Sequence, residues 1–383
     1  MNSVKSGKKL VWKNILFFGI TSLLALVGVP LYAHFVGFKK VDWAIFTFMA
    51  VATMMSTTFG YHRLFAHRAF KAHPFVIFLN LFFGAATFGG SVLNWASGHR
   101  IHHKYTDTED DPYNIKEGFW HAHMGWFLSR KEKIVDYDNV KDLSANKFIK
   151  HQHDHYALWA VGTGIALPLA VGYAAGSFWG AFFLGVCGRL FFIHQSIFLI
   201  NSACHMLGKA TYSLDESARD SWVCALLTHG EGYHSYHHRF PSDFRNGVRW
   251  YQWDPTKWMV KLLGLFGLAW DLNQTPEVKI LAARTETEHL RFIGQLNQER
   301  QPASQQVEQY LNEFYASLSA KLKVWEARVL EYQQMCRKVT HDSMELLKQK
   351  ARQIEEARQD FLNSRKEWLD LLERFSATLA QAA

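Results

Sequence analysis

Long apolar runs alternate with polar stretches along most of the chain, and the pattern changes altogether in the last quarter. One run covers about residues 15–36, a second follows almost at once at 43–61, and two more occupy 156–173 and 178–203. Each approaches the roughly 20 residues that a helix needs to cross a bilayer, so four transmembrane helices are expected. A fifth run, about residues 75–92, is broken by Asn80, Gly84, Gly89 and Gly90. If it crossed, His99 would face the opposite side of the membrane from His62 and His67, so it reads as interfacial or re-entrant. Lys5, Lys8, Lys9 and Lys13 precede the first run, as they would a signal peptide, with small residues near Ala33. The length of the run and the close second one favour a retained span. The basic leader then stays cytoplasmic, although Lys39 and Lys40 pull the other way. Four crossings place both termini and the histidine-rich segments on that same side.

After Pro302 there is no Gly or Pro. Leu311, Phe314, Leu318, Leu322, Trp325, Val329 and Tyr332 recur at alternating spacings of three and four, with charges between them. This indicates a long amphipathic helix or coiled coil. It can pack on itself as a helical hairpin, and self-association is the alternative. The expected class is therefore an all-α integral membrane protein. Its membrane domain would span residues 1–283 and its C-terminal helical extension residues 284–383.

Charge sharpens this division. Of 42 Lys+Arg and 34 Asp+Glu in 383 residues, 15 of each fall after residue 283, so the net +8 lies wholly in the first part, with 18 of the 20 histidines. A basic balance suits nucleic acid, anionic lipid or a phosphorylated substrate, and the apolar runs favour the last two. No nucleic-acid partner is expected. The four cysteines show no paired spacing, so neither a disulfide framework nor a zinc ribbon is supported.

The chemistry lies in the histidines. The segment H-G-E-G-Y-H-S-Y-H-H carries His234, His237 and His238, and His99, His102 and His103 repeat that spacing upstream. Positions i, i+3 and i+4 share one helical face, so each trio is expected to converge on one point. His62 and His67, in H-R-L-F-A-H, are five apart, about 140° around an α-helix, and fit best where a helix ends or bends. His205, in N-S-A-C-H at the end of a span, makes nine. Nine imidazoles exceed the ligand set of one ion, so two metals are expected. Structural zinc would be closed by four ligands, typically including cysteine, and haem needs one or two axial histidines. Neutral ligands beside a buried apolar path point to oxygen chemistry by iron. His229 and Glu231 would orient ligand histidines from behind, and Asp107, Asp110 and Asp111 are acceptors or loop caps. His151, His153 and His155 alternate and do not converge. Phe46 and Ala50, one to several helical turns before His62, read as core packing or as the closed end of that apolar path.

The three histidine boxes resemble those of membrane fatty acyl desaturases. H-G-E-G-Y-H and N-S-A-C-H narrow the resemblance to the acyl-CoA (stearoyl-CoA-type) delta-9 group, over about residues 10–270. Front-end acyl-lipid desaturases carry Gln at the first position of the last box, where this chain has His234. The resemblance implies two iron ions held by the nine histidines, with Asn201 holding a metal-bound water. It implies O2 as co-substrate and a cis double bond as product. A G-W-x-x-x-R-K pattern, matched by Gly125, Trp126, Arg130 and Lys131, is similar to the family's CoA contacts, and Trp95 joins these candidate substrate residues. Ser97 and Gly98 stand where the family carries a charge before the second box's His-Arg. No H-P-G-G segment of a fused cytochrome is present, so electrons are expected from a separate reductase, ferredoxin or cytochrome. The remaining alternatives are an acyl-lipid desaturase, a membrane diiron hydroxylase or ketolase, and a metal sensor with a coiled-coil tail.

Overall fold

The computed structural model describes residues 9–130, 137–299, 304–337 and 344–382, in two compact units. The first comprises residues 1–210 and 215–274, and the second residues 211–214 with everything from Thr275 onward. Lys5, Lys8 and Lys131 lie outside the described residues.

In the first unit four helices are long and apolar enough to cross a membrane: Trp12–Phe35, Lys40–Ala66, Tyr156–Ala174 and Phe178–His205. Leu16, Ile20, Leu23 and Leu26 stand exposed along the first of these, as a lipid-facing surface requires. The apolar run after His67 forms only the 12-residue helix Pro74–Ala85, about 18 Å long and well short of a bilayer's roughly 30 Å core. It buries Val76, Asn80, Leu81, Gly84 and Ala85. Close approach to the second span is possible because a Cβ on Gly84 would lie 2.3 Å from the Tyr61 ring. The Tyr61 hydroxyl in turn accepts from the Gln152 amide nitrogen Nε2 at 2.6 Å, tying in the helix Lys147–Asp154.

Two short antiparallel pairings close the polar end of this unit. Lys9–Leu10 pairs with Ser129–Arg130, and Lys71–Ala72 pairs with Ala269–Trp270. Phe59, Phe65, Phe70, Val92, Phe244 and Val260 form one buried cluster, so segments far apart in the chain meet around the histidine boxes.

The second unit contains the helices Glu277–Glu299, Ser304–Cys336 and Met344–Ala382. Val278, Leu281, Phe292, Leu318, Trp325, Phe361 and Trp368 share its core. Lys350 pairs with Glu331 at 2.6 Å and Lys321 with Asp360 at 2.7 Å, so the two long helices run antiparallel. The apolar stripe with coiled-coil spacing is thus covered within this unit by its own helices. Buried Arg365 is held by Glu288 at 2.8 Å.

Candidate metal centre

The segment Ser56–Ala66 winds as a π-helix within the second span. The His67 N–H donates to the His62 carbonyl, five residues back, at 3.1 Å. That wider turn brings the two rings to 4.8 Å between centroids, whereas an α-helix would splay them. A π-bulge frequently marks a functional position, and nothing in the composition of H-R-L-F-A-H announces it.

The other two boxes lie on the α-helices Val92–Tyr105 and His234–Arg239. Their trios do not converge on single points, as the shared helical face suggested. Nine histidines divide into two groups, His62, His67, His99, His103 and His237 in one, and His102, His205, His234 and His238 in the other. Within each box the i,i+4 pair turns to one group and the middle histidine to the other. Residues four apart are offset by about 40° on a helix, while a neighbour is offset by about 100°. Each helix therefore serves both groups.

Carboxylates and a hydroxyl fix the ring orientations from behind. His62 Nδ1 donates to Glu231 at 2.9 Å, His102 Nδ1 to Asp111 at 2.8 Å and His238 Nδ1 to Glu216 at 2.9 Å. His205 Nδ1 donates to the Ser217 hydroxyl at 2.8 Å, which donates to Asp107 at 2.5 Å. With Nδ1 protonated, each Nε2 presents its lone pair inward. Glu231 also accepts from Arg63 at 3.0 Å and from Asn246 at 2.7 Å, and Arg63 continues to Asp254 and to the Phe244 carbonyl. Burial alone would raise the Glu231 carboxyl, but His62 and Arg63 bring its pKa down to about 2. Glu231 reaches this position because Gly230 adopts φ 100° and a Cβ on Gly232 would meet the Ala225 nitrogen at 2.0 Å. The preceding His229 takes φ 54°, and its Nδ1 is buried without a hydrogen bond. It contacts none of the nine histidines through a described bond. Arg63, Asp254, Glu216 and Ser217 were not singled out by sequence, since an isolated carboxylate or serine carries no local signal.

The donor set fits two metal ions. Nε2 atoms face one another at 2.8 Å for His67 and His99, 2.9 Å for His62 and His237, and 3.0 Å for His205 and His234. Ligands about 2.1 Å from one ion and at right angles to each other sit about 3 Å apart. His102 Nε2 is buried with no hydrogen-bond partner, the state of a ligand atom aimed at a cation. Burial pushes His67, His99, His103, His237 and His238 well below the usual histidine range, reinforced by neighbouring imidazoles, and His234 to about 3. They are neutral, as metal ligands must be.

These depressed values set a pH dependence. Between about pH 6.5 and the lower folded values the unfolded chain binds more protons than the folded one, so stability rises with pH and is lost as pH falls. The histidine contribution is complete above about pH 7, and the melting temperature of metal-free protein is expected to fall steadily below about pH 6.5. Scanning calorimetry at a series of pH values checks this, and a flat profile down to pH 5 would contradict it.

Beside the first histidine group opens a cavity lined by His62, His99 and Glu231 and, towards the spans, by Thr57, Thr87, His194, Ile197 and Phe198. Asn201, Trp95 and Trp126 line it as well. The Trp95 ring stacks on His99 at 4.8 Å, and Trp126 meets Tyr113 at 4.5 Å. Phe46 and Ala50 are not in the lining. Ala50 packs behind it with Met54, Ile193 and Ile197, and Phe46 lies against Phe192. Arg130 pairs through its backbone with Lys9. Ser97 and Gly98 are buried, and a Cβ on Gly98 would come within 3.1 Å of the Tyr113 hydroxyl. His153 bonds the Ser91 hydroxyl at 2.7 Å and stands apart from both groups.

Four apolar spans carrying, beside a cavity, two histidine groups that could each hold a metal ion define an integral membrane protein. Residues 41–270 match the fatty acid desaturase family model. The chain belongs to the fatty acid desaturase family. It is 38% identical over 273 residues to the "Probable acyl-CoA desaturase" of Schizosaccharomyces pombe, covering 70% of this chain and 57% of that protein. To "Acyl-CoA desaturase 1" of Saccharomyces cerevisiae it is 40% identical over 241 residues, covering 62% and 47%. To the "sn-1 stearoyl-lipid 9-desaturase" of Synechocystis sp. it is 32% identical over 267 residues, covering 70% and 81%. The chain thus spans about half the length of the two yeast relatives.

Proposed function

We propose that this protein is an O2-dependent fatty acyl desaturase that introduces a cis double bond, at delta-9, into a saturated acyl-CoA. The observation that carries the reading is the cavity that runs from the first histidine group in among the membrane helices. The nine histidines would hold two iron ions, and Asn201, which lines the cavity, would hold a water on the metal. Iron bound there would supply the O2 activation needed to take one hydrogen from each of two adjacent methylenes; these two hydrogens, O2, two electrons from a separate donor and two protons would end as two waters. The chain's own part is to bind and exclude water. Ile197, Phe198 and Phe127 offer an apolar wall to the acyl chain, and a buried site of fixed shape selects which methylenes can react. Trp95 and Trp126 would border the acyl chain, and Arg130 and Lys131 would pair with CoA phosphates. Glu231, Asp111, Asp107 with Ser217, and Glu216 keep the ligand rings oriented.

The basic residues before the first span support a cytoplasmic N-terminus. Four crossings then place the histidine groups and the C-terminal unit on the cytoplasmic side, where a soluble reductase, ferredoxin or cytochrome can deliver electrons. Self-association of the second unit would have to use the outer faces of its helices, since their apolar stripe is covered within the unit. Names among the relatives include both acyl-CoA and lipid-bound substrates, and the buried Ser97 and Gly98 leave an acyl lipid as the second reading. Expression in cells lacking the activity, with a competent reductase, is expected to yield O2-dependent cis monoenes with the double bond at carbon 9. Label restricted to either acyl-CoA or acyl-lipid pools identifies the carrier. Unchanged fatty acids from iron-loaded protein would refute the reading, and retention of labelled oxygen in the product would indicate a hydroxylase.

A further inference from the structure

Arg189 is fully buried in the middle of the span Phe178–His205. Ionisable residues inside membrane segments are uncommon, and their partners indicate their task. Its guanidinium donates to three backbone carbonyls: Nε to Gly185 at 3.0 Å, Nη1 to Ala86 at 2.8 Å and Nη2 to Gly164 at 2.7 Å. Among the described residues no carboxylate pairs with it. Ala86 caps the helix Pro74–Ala85, whose last carbonyls lack helical donors and cannot find water inside a bilayer.

The segment that follows, residues 86–90, is held at two further points. His194 Nε2 donates to the Thr87 carbonyl at 2.7 Å, and the Gly90 N–H donates to the Tyr156 hydroxyl at 3.0 Å. This loop needs holding, because Phe88 sits at φ 55°, a region that a bulky side chain rarely occupies. The Phe88 ring packs 5.0 Å from Phe17 of the first span, and a Cβ on Gly164 would meet it at 2.6 Å. Three spans therefore grip one short loop.

That loop borders the cavity. Thr87, Gly89 and His194 line it, as does Asn201, which lies seven residues beyond His194, about 10 Å along a helix. The loop is thus the wall on the membrane side, away from the histidine groups. We propose that Arg189 and His194 are positioning residues that hold residues 86–90 as this wall and so set which methylene pair stops beside the metal centre. The inference rests on the reading of this cavity as the acyl site. A displacement of about 1 Å is enough to misplace a reacting group. Lysine cannot replace the fork, since one ammonium cannot span three separated carbonyls in Arg189's geometry.

The test uses the full chain in membranes, with Arg189→Lys, Arg189→Gln, His194→Leu and His194→Gln. Metal content, the ratio of double-bond positional isomers and hydrogen exchange at the Phe88 and Gly90 amides are measured for each. The Arg189 variants and His194→Leu should retain their metal, exchange at least tenfold faster at these amides and shift the isomer ratio at least fivefold. His194→Gln, whose amide can still donate to Thr87, should restore both. An isomer ratio within twofold of wild type in metal-loaded His194→Leu overturns the proposal, and this variant decides if the Arg189 variants do not fold. A wild type that yields no unsaturated product sinks the functional reading instead, and the exchange rates alone then decide whether the clamp exists.

Discussion

His237→Ala should abolish turnover, with a loss of at least about a thousandfold, while the membrane helices remain folded. His237 Nε2 lies 2.9 Å from both His62 and His103, so its removal opens the first group where three segments of the chain meet. The second group contains no atom of this side chain. Metal analysis should therefore show about one ion lost per chain rather than two, and circular dichroism should be unchanged. Each imidazole ligand is a large part of an ion's binding free energy, and a dry cavity offers no ready substitute. Undiminished turnover with the full metal complement would exclude the assignment of His237 as a ligand. A variant that loses both ions would show that the groups fill as one.

Arg63→Met should destabilise the protein by about 3–5 kcal/mol. Its guanidinium lies between Glu231 and Asp254, each 3.0 Å away, with both carboxylates buried. Removing the cation leaves two buried negative charges facing each other, the costly half of a broken buried pair. The melting temperature should fall on the order of 10 °C, and metal affinity should fall about 10- to 100-fold because Glu231 no longer holds His62 in register. Adding Glu231→Gln to Arg63→Met should recover part of the melting temperature but not the metal affinity. An Arg63→Met protein as stable as wild type would show that the carboxylates find another partner.

The tail illustrates the same division between local pattern and assembly. Spacings of three and four identified long amphipathic helices from Leu311 onward, but not what covers them. Helix Glu277–Glu299 supplies Val278, Leu281 and Phe292 to the same core, although the charge and apolar pattern assigns its first residues, 277–283, to the membrane domain. A periodic apolar face specifies that something packs against it, and only the fold names the partner.

By itself the sequence determined the membrane spans, because about 20 apolar residues have few other solutions. It also determined the nine histidines, because so many imidazoles at helical spacing have no ordinary packing role. Only the tertiary structure decided how they are shared. The split of His99 and His103 from His102, and of His234 and His238 from His237, depends on where each helix axis lies relative to its neighbours. The π segment that carries His62 packs against Pro74–Ala85, Gly60 against Asn80 and Tyr61 against Gly84, and Glu216, Ser217 and Asp254 became supporting residues only by proximity across long stretches of chain. Periodicity encodes which face a side chain occupies, whereas the point in space at which faces from separate segments meet is set by packing alone.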